Sequence, residues 1–79
     1  MREITKRQAQ VIIFIENFIQ KNDYAPTIRE IADHFKISVM GARDHVIALE
    51  KKGCISYQAG KSRTISIKKK IVEGKNEIQ

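Results

Sequence analysis

Three helix-start signals, at Thr5, Thr27 and Ser38, constrain this chain more than any other feature. Thr5 is followed three residues later by Gln8, and Thr27 by Glu30. These are capping boxes, T-x-x-Q and T-x-x-E: the hydroxyl takes the third backbone N–H, and the third side chain reaches back to the N–H of the cap residue. Pro26 steers the chain into the second start. Ser38 is a third cap candidate, and between it and Thr27 only a short helix and a tight turn fit.

Apolar spacing fills in the helices. From Thr5, Val11, Ile12, Phe14, Ile15, Phe18 and Ile19 fall within one broad helical face, while Ile13 sits off it, and the helix should fade near Lys21–Asn22. The second helix runs to about Phe35, with Ile28, Ile31, Ala32 and Phe35 forming one stripe. The third covers Val39 to Lys52 and points Ala42, Val46 and Leu49 inward. Gly53 suits a left-handed cap at its end, with Lys51 and Lys52 at the negative end of the dipole.

After Gly53 the period changes from helical to alternating. "CISYQ" reads as a strand with Ile55 and Tyr57 facing one way. "AGKS" turns at Gly60, and "RTISI" is a second strand with Ile65 and Ile67 on one face. The expected fold is α+β and mainly α: a winged helix-turn-helix, three helices followed by a two-stranded antiparallel hairpin. Residues 1–68 form the domain, and 69–79 read as a tail or a truncated linker.

Charge narrows the partner. The formal net charge is +6 and the pI about 9.7, which favours a polyanion, and nucleic acid first among polyanions. No apolar run reaches the roughly 20 residues a membrane span needs, and "MREITKRQ" lacks the apolar segment of a secretory signal. No membrane role is expected, and a cytoplasmic location is. Cys54 is the one cysteine, and His34, His45 and Cys54 have no ligand-type spacing, so neither metal nor cofactor is expected. Ser38, Ser56, Ser62 and Ser66 have no base in a nucleophile arrangement, which argues against an enzyme.

A helix-turn-helix braces one helix while the next enters the major groove. The outer face of the third helix carries Met40, Arg43, Asp44 and Ile47. Arg43 can donate two hydrogen bonds to a guanine edge, Asp44 can accept from cytosine, and Met40 can touch a thymine methyl. Gly41 removes a side chain where a backbone could come close. The hairpin turn displays Lys61, Ser62 and Arg63 for phosphate; Thr27, Arg29 and Ser38 sit at helix starts suited to phosphate, and Lys51 and Lys52 are expected to touch phosphate as well.

The segments "TKRQAQVIIFIENFI", "YAPTIREIA", "ALEKKGCI" and "GKSRTISI", in this order, resemble the N-terminal DNA-binding domain of LexA-type SOS repressors. The resemblance covers about residues 4–67. It implies a transcriptional repressor domain of the DNA-damage response that binds a palindromic operator in double-stranded DNA as a homodimer. By position, the groove-facing set would be Ser38, Met40, Gly41, Arg43 and Asp44, with the wing at Lys61–Arg63. The chain departs from many members, which carry an Asn-Ala pair and acidic residues where it has Met40-Gly41 and Arg43. The family's self-cleaving serine–lysine peptidase part, which also dimerises, has no counterpart in these residues, so the expectation is a mostly monomeric domain without enzymatic activity. The alternatives are a winged helix that docks on an acidic protein and a regulator outside the SOS response.

Overall fold

The computed structural model describes residues 4–68, and the tail expected over 69–79 lies outside them. The elements are α1 (Lys6–Asn22), α2 (Ile28–Phe35), α3 (Val39–Lys51), β1 (Ile55–Ser56) and β2 (Ser66–Ile67). The strands pair antiparallel, Ile55 opposite Ile67 and Ser56 opposite Ser66. The expected three helices and hairpin are present.

Each helix begins where its cap predicts. Thr5 and Thr27 close both bonds of their boxes, and the Ser38 hydroxyl accepts from Gly41 N–H at 2.9 Å. Two helix ends share one geometry. At α3, Gly53 N–H donates to Glu50 O and Cys54 N–H to Leu49 O, with Gly53 left-handed at φ 79°. At α2, Lys36 N–H donates to Asp33 O and Ile37 N–H to Ala32 O, but the left-handed residue is Lys36 at φ 57°. A side chain there costs roughly 1 kcal/mol, which the turn tolerates because Ile37 then packs against the core and Ser38 starts α3.

The core lies where the three helices meet the hairpin. Val11, Ile12 and Ile15 of α1, Ile31 of α2, and Ala42, Val46 and Leu49 of α3 are all 0% exposed. Fully burying one such aliphatic side chain stabilises by about 1.5–3 kcal/mol, so this stripe fixes which face of α3 is left outward. Cys54, Ile55 and Ile65 seat the hairpin on the same core.

Three expectations are corrected. The strands are two residues each, because Arg63 turns left-handed (φ 58°) and the Thr64 hydroxyl binds the turn itself. That hydroxyl accepts from Gln58 N–H at 3.0 Å and lies 3.1 Å from the carbonyls of Gln58 and Lys61. Helix α3 ends at Lys51, with Lys52 as its cap. Phe14, Phe18 and Phe35 are half-buried at the margin of the core, where they form an aromatic run with His34 and Tyr24. Wide rings fit better at that edge than between closely packed helices.

Candidate nucleic-acid interface

With Ala42, Val46 and Leu49 buried, helical geometry turns the next residues outward. Ser38, Met40, Arg43 and Asp44 are exposed, Met40 at 68%, while Gly41 and Ile47 are half-buried. Val39 beside Met40 is 40% exposed, so the start of α3 presents two adjacent apolar side chains to solvent. Gly41 is backed closely: a Cβ there would lie 3.2 Å from Ser38 Oγ and 3.8 Å from Ile37 Cδ1.

A cleft joins this face to the rest of the predicted set. Thr27, Ile28 and Arg29 at the start of α2, Arg43 of α3, and Tyr57, Gly60, Lys61, Ser62 and Arg63 of the hairpin line it. A second concavity continues along the outer face of α3, from Arg43 and Ile47 to Glu50, against Tyr57, Gln58, Ala59 and Gly60. Arg43, Tyr57 and Gly60 lie in both. Elements far apart in sequence thus bring Arg29, Arg43 and Lys61 to one surface, a cationic arrangement suited to polyanionic backbone.

Lys52 and Arg63, both expected at phosphate, have protein partners in the free domain. Lys52 Nζ donates to Gln8 Oε1 at 2.7 Å, tying the end of α3 to the start of α1. Arg63 Nη1 donates to Glu30 Oε1 at 3.0 Å and to Ala25 O at 2.9 Å, and its Nη2 donates to Glu30 Oε2 at 3.1 Å. The Arg63 guanidinium also lies 4.6 Å from the Tyr24 ring centroid. Arg63 and the backbone N–H of Thr27 hold the Glu30 carboxyl below its ordinary range. Lys51 is exposed at the far end of α3, about 18 Å along the axis from its start.

Sequence alone gives no sign of Tyr24, Glu30, Tyr57 or Thr64 in this region. Glu30 is legible as a capping residue, but its partner is a residue 33 positions away. Tyr57 alternates with Ser56 as a core-facing strand residue should, yet it stands half-buried between α3 and the hairpin turn. His34, weighed as a metal ligand, stacks on Phe14 at 4.2 Å.

The family described as LexA DNA binding domain matches residues 1–64. The LexA repressor of Thermotoga maritima is 52% identical over 71 residues, which is 90% of this chain and 36% of that protein. That of Thermosipho melanesiensis is 51% identical over 70 residues, 89% of this chain and 35% of that protein. LexA repressor 1 of Geobacter sulfurreducens is 48% identical over 68 residues, 85% and 34% respectively. The chain therefore spans about a third of the length of these curated relatives. Among the described residues no helix is long and apolar enough to cross a membrane. With a family match over most of its length and half its residues shared with these repressors, the chain belongs to the LexA DNA-binding domain family.

Proposed function

We propose that residues 1–68 read double-stranded DNA as the operator-binding domain of a cytoplasmic SOS-type repressor, and that this domain binds and does not catalyse. The observation that carries it is the cleft uniting Arg43 with Thr27, Arg29, Lys61 and Ser62, beside an α3 face that exposes Met40 while its opposite stripe is wholly buried. In this reading the N-terminal half of α3 lies in the major groove. Arg43 forks onto guanine O6 and N7, Asp44 accepts from a cytosine amino group, Met40 meets a thymine methyl, and Ser38 stands at the groove edge. Gly41 lets the helix approach. Thr27, Arg29, Lys61 and Ser62 hold one strand's phosphates, fixing register without reading sequence. Lys51 adds longer-range attraction.

Each chain takes one half-site and two copies meet on a palindrome; alone it is a monomer that binds weakly. Linking two copies raises affinity through effective concentration. Selection from a random duplex pool at fixed salt tests the function. One duplex family should emerge, and its affinity should fall with salt at a log–log slope of about −2 to −3, as for two or three phosphates neutralised by Arg29, Lys61 and Lys51. A slope near zero, or no preferred duplex, would overturn the proposal.

A further inference from the structure

Two-residue strands give the hairpin little stability of its own, and its tip lies beyond the paired residues. Ile55 and Ile65 anchor its base in the core. Thr64 braces the tip internally, and Arg63 ties it to the helices. Arg63 crosses from the hairpin turn to the Ala25 carbonyl, both Glu30 oxygens and the face of Tyr24, although its side chain is 39% exposed. Glu30 is itself anchored, since its Oε1 also accepts from Thr27 N–H at 2.8 Å.

We propose that Arg63 is a positioning residue, which clamps the hairpin tip to the start of α2 and so sets the distance between Lys61–Ser62 and Thr27–Arg29. The proposal rests on the DNA-binding function above and gives Arg63 a different role from phosphate contact. A phosphate reaching this guanidinium would have to displace a bidentate carboxylate and then lie against the Glu30 charge. Lysine cannot replace arginine here, because a point-charge ammonium cannot span both carboxylate oxygens, reach the carbonyl and lie flat on a ring.

Glu30→Gln separates the pair from the cap. Gln8 closes the box of α1, so glutamine at position 30 keeps the helix start while removing the ion pair. By charge alone, losing a carboxylate beside the DNA surface tightens binding; with the clamp, it weakens it. The first measurement is backbone 15N relaxation of Gln58–Thr64 in the free full chain, wild type, Glu30→Gln and Arg63→Lys. Both variants should lose order in this segment while α1–α3 remain unchanged. The second is affinity for the duplex that the wild-type chain selects, where both should bind about five- to tenfold more weakly and the double variant no worse than either single one. Tighter binding by Glu30→Gln, or unchanged order of the tip in both variants, would overturn the clamp and leave DNA binding standing. A wild-type chain that selects no duplex would sink both proposals, and the relaxation data, which need no DNA, keep the two failures distinguishable.

Discussion

The starts of α2 and α3 are consecutive in the chain and use the same cap chemistry, yet they end in opposite states. At α2, the Thr27 hydroxyl holds Glu30 N–H, Glu30 returns to Thr27 N–H, and Arg63 closes over the carboxylate. At α3, the Ser38 hydroxyl holds Gly41 N–H, and with glycine at the third position nothing returns. The first turn of α3 has no acidic residue, and Val39 and Met40 stand exposed beside it. The start of α1 resembles that of α2, with Gln8 completing the box and Lys52 closing over it. Two helix starts are thus closed by cations from distant elements, and the third is left open. The residue three positions after the cap decides whether a side chain of the same helix returns to the backbone N–H of the cap.

The strongest way to break this contrast is to close the open end. Gly41→Glu converts S-x-x-G into S-x-x-E. Replacing glycine should stabilise the fold by about 0.5–1 kcal/mol, once the exposed Ser38 side chain gives the few tenths of an ångström that a Cβ at 3.2 Å requires. A carboxylate at the groove-facing start should nevertheless weaken binding to the selected duplex about a hundredfold, roughly 2.7 kcal/mol. Thermal unfolding and a DNA titration on the same sample check both signs. Equal DNA affinity would show that the open end has no part in binding.

Arg43→Ala tests what the open end reads. Arg43 is exposed on the flank of the buried stripe, so stability should change by less than about 0.5 kcal/mol. Preference at one base pair per half-site should fall by about 1–3 kcal/mol. Affinities for the selected duplex and its single-base variants decide the matter: an unchanged rank order means that Arg43 reads no base.

The caps themselves should differ in strength. Thr27→Ala removes a hydroxyl built into a box and should cost about 1 kcal/mol, whereas Ser38→Ala removes a lone exposed cap and should cost nearer 0.5 kcal/mol. Urea unfolding midpoints compare the two, and a larger loss at Ser38 would reverse the contrast.

Protonation gives the smallest effect. Arg63 and Thr27 hold the Glu30 carboxyl below its ordinary value of 4.5, so its contribution to stability is fully present above that pH and is lost as pH falls through the lower folded value. Both side chains of the pair are more than a third exposed, so solvent screening keeps the change modest. The wild-type minus Glu30→Gln difference in urea midpoint should shrink below pH 4.5. A difference that stays constant into strong acid would show that the pair adds nothing.

Helix starts, the left-handed Gly53 and the buried stripe Ala42–Val46–Leu49 were legible in the sequence because each depends on residues within one or two turns of itself. The hairpin was legible as an element but not in extent. A period of two does not reveal that Thr64 binds back to Gln58 and Lys61, or that Arg63 turns left-handed and leaves the ladder two pairs long. Phe14, Phe18 and Phe35 matched an inward stripe by angle, but a helical projection carries no information on how much room the facing helix leaves.

For the site, the amino-acid sequence by itself determined which face of α3 points away from the core, since helical period and apolar content suffice for that. It also determined that cations are in excess. Tertiary structure alone decided which cations the fold uses internally. Lys52 and Lys61 are alike as letters, as are Arg63 and Arg43, but Lys52 meets Gln8 across 44 positions and Arg63 meets Glu30 across 33. A long, flexible cationic side chain takes whatever acceptor the packed backbone brings within reach, and that proximity exists only after the helices have docked.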